Sequence, residues 1–473
     1  MRPTASLVVF LAVLALGLGP VRADRSAASG PLYLSPSGSD AGQCTSVAPC
    51  ASLARALAVA LPGQVVRLQT GSYPGQALGP VDKPSAEHVM FEPAPGASVS
   101  FKGRLELDGV SHVTLSHFTL ARTGPADRSL FIAGCTTDVT LEELTGETFF
   151  VEEGTSQITF RGGSWGGYSS PGEADSAIGT SGAAGPTYSC GGEAAKPATD
   201  IVFDGVLFHD VFWGVPSSEW GGSHPDCFEI NGYVGAVVVR NSRFVRCAST
   251  FMQINPDQGD ILNATFEKNV YKQLGDESWY GIQITSAGKP GRCGNVIFRR
   301  NTYIPSNPEA KTWPNGPIRT DCEPSPGTAA VLTSDNLFQR APPANECARY
   351  QSPPYAAKWE HNLFVTGSCG TDTRGVPFGY SAGELGLVAD KRAAGAIRLL
   401  FALASRGLAP SVLARRMAAA HAPRPPRSRW SGRTVRLLLG DRVYAGGAFG
   451  AAGANPPLVS SRVWRAAQAV AKN

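Results

Sequence analysis

Several features common in other protein classes are absent from this 473-residue chain. No cysteine follows Cys369, and no Cys-x-x-Cys pair with a matching histidine pair occurs, so no zinc or other metal site is expected. Beyond the N-terminal segment no run is apolar enough to cross a bilayer, so we expect no membrane span. Acidic residues are scarce over residues 371–473, where four accompany sixteen lysines and arginines.

The N-terminus has the composition of a secretory signal. Arg2 supplies a positive charge, residues 7–19 are almost wholly apolar, and Val21-Arg22-Ala23 places small residues at the cleavage positions. The alternative is a buried N-terminal helix, which the polar residues immediately after it disfavour. We therefore predict a signal peptide over residues 1–23 and a secreted, extracellular protein.

The ten cysteines agree with export. They form an even-numbered set that lies entirely before residue 370, and such a set in an exported protein predicts disulfide bonds. Cys44 and Cys50 are close enough in sequence to bridge a short loop. The sequence does not determine how the other eight pair: Cys135, Cys190, Cys227, Cys247, Cys293, Cys322, Cys347 and Cys369.

The charge of the chain changes sign at about residue 370. Residues 371–473 have a balance of plus twelve, whereas the part before them has 26 basic and 34 acidic residues, a balance of minus eight. The chain is also too long for one ordinary globular core. We therefore predict two modules of opposite charge.

The first module repeats one sequence pattern, called the phrase below. It consists of a short run of β-branched and aromatic residues, then a polar or glycine step, then a second short run. The closest copies are 19 and 26 residues apart, and strand-forming repeats of about this length predict a solenoid of stacked β coils. A jelly roll or sandwich would also use short strands, but without such a regular phrase. The copies are HVTLSHFTL from 112, DVTLEELTG from 138, QITFRGGSW from 157, DIVFDGVLF from 200, AVVVRNSRF from 236, NVIFRRNTY from 295, VLTSDNLF from 331 and KWEHNLF from 358.

The start of this module also fits a solenoid. Residues 51–61 have the pattern of an amphipathic helix that Pro62-Gly63 ends, and such a helix would cover the open end of the apolar stack. Over residues 31–367 the chain resembles the pectin-lyase-like superfold. This resemblance implies a mostly β fold, a right-handed parallel β-helix solenoid, and does not define one activity, because the superfold includes lyases, hydrolases, adhesins and binding proteins.

Three segments of the solenoid align without gaps: CFEINGY from 227, FMQINPD from 251 and GIQITSA from 281. Strand alternation places Glu229, Gln253 and Gln283 on the outer face, where they would form a polar ladder that hydrogen-bonds sugar hydroxyls. Trp220 and Trp279 on adjacent loops would stack on sugar rings. The alternative is an ordinary solvated β face. The same alternation predicts these interior residues: Phe228, Ile230, Met252, Ile254, Ile282 and Ile284.

Catalysis on this face would need an acid and a base, and His224, Asp226 and Glu229 are the candidates. Paired carboxylates hydrolyse glycosidic bonds, and a base beside a carboxylate-bound calcium eliminates across a uronate. However, the paired-aspartate, Gly-His-Gly and Arg-Ile-Lys motifs of the polygalacturonases are absent, and so is an intact pectate-lyase signature. We expect no cofactor, apart from calcium if the protein is a lyase, and His224 has the alternative role of stabilising a loop.

The second module has a helical pattern. Ile397, Leu400, Phe401 and Ala404 form an apolar stripe that ends near Gly407. Ser411 is the predicted cap of a second helix with apolar positions at Val412, Leu413, Ala414 and Met417. A loop rich in proline and arginine follows, and Ser431 begins a third helix that contains Arg433 and Arg436. Short helices around a basic loop suit phosphate contacts and entry into a DNA groove.

Over residues 373–473 the chain resembles the recombinase domain of the large serine recombinases, the DNA-binding part that follows their catalytic domain. The alternative is a small basic helical module without a ligand. The residues that carry the resemblance follow the family's order: Pro377-Phe378-Gly379-Tyr380, Asp390, Ile397-Arg398, Phe401, Gly407, Ala414-Arg415, Trp430, Val435, Leu438, Tyr444, Gly446, Leu458-Val459-Ser460, Trp464 and Gln468.

The chain also departs from that family. The β solenoid stands where the recombinases have their serine nucleophile, and the cysteine zinc ribbon that often follows in the family is missing, so strand cleavage is not expected. DNA binding remains implied, and outside a cell the same charge would also suit another acidic polymer. The residues expected to bind are Arg415, Arg416, Arg424, Arg427, Arg429, Arg433 and Arg436.

Three functions follow from these patterns. The preferred interpretation is a secreted two-module binding protein, with the β-helix binding a polysaccharide and the C-terminal module binding DNA. The first alternative is an extracellular polysaccharide lyase or glycoside hydrolase with a basic anchoring domain. The second alternative is a DNA recombination accessory protein.

Overall fold

The computed structural model describes most of the chain between residues 30 and 472. The predicted signal peptide, residues 1–23, lies outside the described residues. The described ranges are 30–81, 83–124, 127–170, 176–179, 189–190, 192–194, 196–213, 225–273, 281–285, 291–304, 318–320, 322–328, 331–340, 358–366, 376–383, 386–426, 428–451 and 453–472.

Parallel strands of the first module stack into three sheets, each coil adding a strand, so the predicted parallel β-helix is confirmed. The first sheet contains Leu32–Leu34, Val65–Leu68, Val89–Pro93, Ser111–Ser116, Thr137–Glu142, Ser156–Arg161, Ile201–Asp204, Val237–Arg240, Ala264–Glu267, Val296–Arg299, Val331–Ser334 and Lys358–Glu360. The second contains Gly71–Leu78, Val99–Asp108, Thr119–Ala121, Thr145–Gly146, Ser164–Ser170, Leu207–Trp213, Arg243–Cys247, Val270–Lys272, Thr302–Ile304, Leu337–Arg340 and Leu363–Thr366.

The third sheet shares the long strand Val99–Asp108 with the second sheet. It continues through Leu130–Ala133, Phe149–Glu152, Ala177–Gly179, Glu229–Asn231, Met252–Ile254, Ile282–Ile284 and Ile318–Thr320. Shorter elements accompany the coils: the strand pairs Ser189–Cys190 with Glu193–Ala194 and Ile261–Leu262 with Cys293–Gly294, and the 3-10 helix Pro256–Gln258.

Alternating side chains fill the solenoid because every second residue of a strand points inward. Phe208, Phe244, Tyr271, Tyr303 and Phe338 are buried on successive coils, and neighbouring rings stack at centroid distances of 4.6–4.9 Å. The repeated phrases of the sequence supply first-sheet strands, and the polar step in each phrase turns the chain toward the next sheet.

Four buried asparagines form a ladder at that polar step. Asn269, Asn301, Asn336 and Asn362 occupy equivalent positions on successive coils and have no solvent exposure. Each side-chain oxygen accepts a hydrogen bond from the main-chain N–H of the residue one coil earlier. The ladder therefore satisfies backbone groups that the turn would otherwise bury without partners.

A short helix covers the first coil, as predicted. Helix α1, Leu53–Val59, is shorter than the expected 51–61, and its cap residue Ser52 accepts from the Arg55 N–H at 3.0 Å. Leu53, Ala56 and Leu57 pack into the apolar core of the solenoid. The helix thus shields the open end of the apolar stack from water.

Four disulfides join parts of the solenoid. The predicted Cys44–Cys50 bond is present, together with Cys135–Cys190, Cys227–Cys247 and Cys293–Cys322. Cys347 and Cys369 lie outside the described residues. Four disulfides fit folding in an oxidising compartment, as the prediction of secretion requires. No helix in the described part of the chain has the length and hydropathy to cross a membrane.

The C-terminal module is mainly helical, as predicted. After the antiparallel hairpin Tyr380–Gly383 and Gly386–Ala389 come helices α2 (Ala393–Ala404), α3 (Pro410–Ala419), α4 (Gly432–Gly440) and α5 (Ser461–Lys472), with the 3-10 helix Arg442–Ala445 between the last two. Ser431, which was predicted to begin this helix, is the N-cap of α4 and accepts from the Thr434 N–H at 3.1 Å. The predicted cap at Ser411 is wrong, because α3 begins one residue earlier at Pro410, whose fixed φ suits a first helical position.

The C-terminal module packs against the outer face of the second sheet. Thr302, Leu337 and Leu363 point outward from three successive coils, yet all are buried, and the two leucines belong to the apolar core of the C-terminal module. The Ala451 N–H donates to Thr302 Oγ1 at 2.9 Å, and the Gly450 N–H donates to the Asp335 carbonyl at 3.2 Å. The two modules therefore share an apolar interface.

Candidate ligand-binding face

The predicted polar ladder lies on the third sheet in the expected register. Glu229 is paired with Gln253, and Gln253 is paired with Gln283, on three consecutive strands. The six residues predicted to point inward are all fully buried. The sequence alignment of the three segments therefore placed both faces of these strands correctly.

The middle of the ladder is more enclosed than a solvated face would be. Glu229 and Gln283 are partly exposed, whereas Gln253 is only 6% exposed. Asn231 Nδ2 donates to Glu229 Oε2 at 2.8 Å, which orients that carboxylate. Asn255 is 8% exposed, and its Oδ1 has no hydrogen-bond donor among the described residues. A buried acceptor without a donor costs about 1–3 kcal/mol, so this atom is a local cost to folding.

The outer row of the ladder continues to a pair of aromatic residues that the sequence analysis missed, of which Phe131 is partly exposed and Phe150 is buried. The register runs from Phe131 to Phe150, then to Ala177 and on to Glu229. The Phe131 and Phe150 rings stack at 5.7 Å, and the Arg128 guanidinium lies 4.8 Å from the Phe150 centroid. The strand LFIA is apolar on both faces, and FFVE has two adjacent phenylalanines, so one of them must point outward; this is the sequence signal for an aromatic outer position.

The structure gives the three catalytic candidates different surroundings. Asp226 is fully buried, and its Oδ1 accepts from the Thr250 N–H at 2.8 Å and from Thr250 Oγ1 at 2.7 Å. These bonds link one coil to the next beside the Cys227–Cys247 disulfide. Glu229 is partly exposed on the ladder. His224, Trp220 and Trp279 lie outside the described residues, so the catalytic and ring-stacking roles remain predictions.

Two buried carboxylates near this face were also missed. Glu152 ends a third-sheet strand and Glu153 follows it, and they are 1% and 0% exposed. Glu152 is opposite Gly179, and Gly179 is in turn opposite Asn231, so Glu152 lies two strands away from the ladder. The sequence signal for these carboxylates was an acidic pair that directly follows the apolar residues of the strand. Buried charges require partners in the fold, and such partners cannot be identified from the sequence.

One group of potential metal ligands occurs among the described residues, on the first sheet rather than on the ladder: His88, His112 and Asp138. His88 Nε2 lies 3.1 Å from Asp138 Oδ1, and His112 Nδ1 lies 2.7 Å from Asp138 Oδ2. Burial raises the pKa of Asp138, but the two histidine hydrogen bonds outweigh burial and hold it below its ordinary value. The sequence analysis missed this group because the solenoid, not local spacing, brings the histidines together.

The predicted DNA-binding arginines are exposed. Arg433 and Arg436 lie on the outer side of α4, next to Leu437, which is 68% exposed. Arg427 lies outside the described residues. The other six have exposed side chains with no hydrogen bond or ion pair to the described part of the chain: Arg415, Arg416, Arg424, Arg429, Arg433 and Arg436. Their charge is therefore available to a ligand.

Comparison with known proteins gives structural similarity only. No family model matches the chain, and no curated protein sequence matches it. A solved structure titled "Rhamnogalacturonan lyase" has 16% identity and a TM-score of 0.39, covering 73% of this chain and 84% of its own. One titled "The complex structure of XylC with xylose" has 8% identity and a TM-score of 0.40, covering 73% and 86%. One titled "Crystal structure of pectate lyase Pel9A" has 16% identity and a TM-score of 0.29, covering 57% and 75%.

These overlaps are too low to support an argument about activity. The class of protein rests instead on the sheets themselves, whose parallel strands repeat coil after coil. The chain is a parallel β-helix protein with a mainly helical C-terminal module.

Proposed function

We propose that this chain is a carbohydrate-binding protein whose third sheet holds a polysaccharide along the outer row that contains Glu229, Gln253 and Gln283. The observation that supports this function is the register of these three residues on consecutive strands. Side-chain amides and a carboxylate one strand apart present donors and acceptors about every 4.8 Å along the solenoid.

The composition of the row suits a sugar chain better than a charged or apolar ligand. Amide groups both donate and accept hydrogen bonds, as sugar hydroxyls do. Phe131, which is partly exposed, extends the row with apolar ring surface, and sugars present apolar C–H faces as well as hydroxyls. Binding sites for small ligands commonly combine an apolar surface with a few polar groups that define orientation.

A polysaccharide lyase or glycoside hydrolase remains the alternative for the same face. Glu229 supports this alternative. Among the catalytic candidates that the structure describes, it is the one whose carboxylate is partly exposed on the ladder. A hydrolase needs a second carboxylate, whereas a lyase needs a base and commonly calcium. Incubation of the protein with any bound glycan distinguishes these reactions, since elimination creates an ultraviolet-absorbing double bond and hydrolysis creates only reducing ends.

The experiment for carbohydrate binding uses the full chain on a polysaccharide array. Changing Glu229, Gln253 and Gln283 together to alanine should weaken binding to the best ligand by at least about tenfold, as expected from the loss of two or more net hydrogen bonds. The matched control changes Thr140, Thr159 and Thr265 to alanine, because these are partly exposed polar residues on the first sheet. Equal binding by both variants would show that the ladder is ordinary solvated surface.

The C-terminal module supports a second candidate function, which is binding of an acidic polymer such as duplex DNA. The observation that favours it is the set of six exposed arginines without ion-pair partners among the described residues. Arginine forms bidentate contacts with phosphates and guanine edges. A DNA recombination accessory role would also require this binding, but strand cleavage is not part of the proposal.

A further inference from the structure

We propose that His88, His112 and Asp138 form a binding site for one divalent transition-metal ion of the zinc class, on the outside of the first sheet. The site is separate from the proposed carbohydrate face, which lies on the third sheet. It uses two imidazole nitrogens and one carboxylate oxygen, and these ligand types suit zinc and the neighbouring divalent metals.

The solenoid places the three residues at equivalent positions. Val89 is paired with Val113, and Val113 is paired with Val139, so the residues directly before these valines follow one another on successive coils. Those residues are His88, His112 and Asp138. His112 and Asp138 both have positive φ values, of 57° and 52°, which turn both residues in the same way at the start of their strands.

The distances between the side chains suit a single ion. One ligand atom from each residue lies within 4.8 Å of the other two, and the closest histidine–carboxylate distances are 2.7 and 3.1 Å. Ligands at about 2.0–2.1 Å from tetrahedral zinc are separated by roughly 3.3 Å, so small side-chain rotations would complete the geometry. The side chains are 24%, 28% and 37% exposed, which leaves access from solvent and an outer position for water.

A fourth residue orients one of the ligands. His88 Nδ1 lies 2.9 Å from Thr114 Oγ1, and Thr114 is buried in the same sheet. A hydrogen bond from one imidazole nitrogen to a neighbouring oxygen determines the tautomer and leaves the other nitrogen to bind metal. Thr114 therefore directs His88 Nε2 toward Asp138. Without a metal, the His88 ring takes the other tautomer, in which its Nε2–H donates to Asp138 and its Nδ1 accepts from the Thr114 hydroxyl, while His112 Nδ1–H donates to the same carboxylate.

The test measures zinc binding by the full chain without a histidine tag, using calorimetry, and cobalt binding by visible absorption. The wild-type protein should bind one equivalent of zinc, and cobalt should give ligand-field absorption bands. His112→Asn should weaken zinc binding by more than the tenfold to hundredfold that loss of an outer-shell partner costs. Asparagine tolerates positive φ and can still donate to Asp138, so the backbone and the cluster are preserved.

The matched control is His117→Asn. His117 also has a positive φ, of 62°, and is exposed at the end of the same strand, but it does not belong to the cluster. This variant should bind zinc as the wild type does. If His112→Asn changes the circular dichroism spectrum, His88→Gln replaces it as the test variant. The proposal is overturned if the wild type binds no stoichiometric zinc, or if the cluster variant and the His117 variant bind it equally.

Discussion

Asn301 donates through its main-chain N–H to Asn336 Oδ1 at 2.8 Å, and its Nδ2 lies 3.0 Å from the same oxygen. The Asn301 Nδ2 also donates to the Phe266 carbonyl at 2.9 Å, on the preceding coil. One buried amide thus joins three coils. Repetition of this contact along the asparagine ladder holds successive turns in register where the first sheet ends.

This relationship predicts a large loss of stability for Asn301→Asp. The change removes both Nδ2 donors and places a buried carboxylate beside two oxygen acceptors, so we expect a loss on the order of 3–5 kcal/mol at neutral pH. Chemical denaturation monitored by tryptophan fluorescence measures it. The control is Asn295→Asp, which makes the same change at an exposed position and should stay within about 0.5 kcal/mol of wild type. A small effect at Asn301 would contradict a structural role for the ladder.

Two aspartates predict opposite dependences of stability on pH. Partial burial raises the pKa of Asp335 and outweighs the attraction of Arg300, His361 and Arg442. The hydrogen bond from Arg246 lowers the pKa of Asp210 against its partial burial. A raised folded pKa gives stability at low pH that is lost as the pH rises through it, whereas a lowered one gives stability at neutral pH that is lost as the pH falls.

Replacement of each aspartate by asparagine tests these signs, and both positions have positive φ, which asparagine accepts. At pH 7 Asp335→Asn should raise the free energy of unfolding by less than about 1 kcal/mol, since the residue is only partly buried. Asp210→Asn should lower it by about 1–2 kcal/mol. The Asp335 difference should shrink as the pH falls from the raised pKa of this group to about 4, and the Asp210 difference should shrink as the pH falls below about 4. Denaturation midpoints between pH 3 and 7 would contradict this account if both variants shifted in the same direction.

The interface between the modules predicts different effects at two glycines. A Cβ at Gly450 would lie 2.6 Å from Thr302 Oγ1 and 3.1 Å from Leu337 Cβ, whereas a Cβ at Gly447 would have no atom within 4 Å. Both glycines have positive φ, so alanine costs about 1–2 kcal/mol of backbone strain at either position. The steric conflict should add about 1–3 kcal/mol for Gly450→Ala alone. Equal unfolding free energies would mean that the modules do not pack tightly there.

The exposed arginines predict salt-dependent binding of duplex DNA by the full chain. Affinity should fall steeply between 50 and 200 mM salt, because bound phosphates release counterions. Changing Arg433 and Arg436 to alanine should cost about 1–3 kcal/mol each if they contact base edges, and less if they contact only phosphate. Arg406 and Arg462, which are exposed on other parts of the same module, provide the control pair. Absence of binding at low salt would mean that the C-terminal module resembles the recombinase domain in fold but does not bind DNA. Nicking of the DNA would contradict the expected absence of strand cleavage.

Much of the solenoid could be predicted because its information is local and repeated. Alternation within CFEINGY, FMQINPD and GIQITSA was enough to separate Ile230, Ile254 and Ile284 from Glu229, Gln253 and Gln283. The helix that covers the first coil, the Cys44–Cys50 bond and the stripe of α2 are also local patterns. The cap of α3 was mispredicted by two residues, at Ser411 instead of Ala409, because a serine and a proline are both acceptable near a helix start.

Other features depend on which residues become neighbours across coils. The alternation of each strand by itself decided which side chains point inward, because that direction depends only on the position within the strand. The length of the turns between strands decided that His88, His112 and Asp138 meet and that Phe150 leads toward Glu229. Thr302, Leu337 and Leu363 point outward from their strands and are buried only because the C-terminal module packs against them. Such contacts arise only in the tertiary structure, because the distance between two side chains on different coils is set by backbone pairing and packing and not by their separation in sequence.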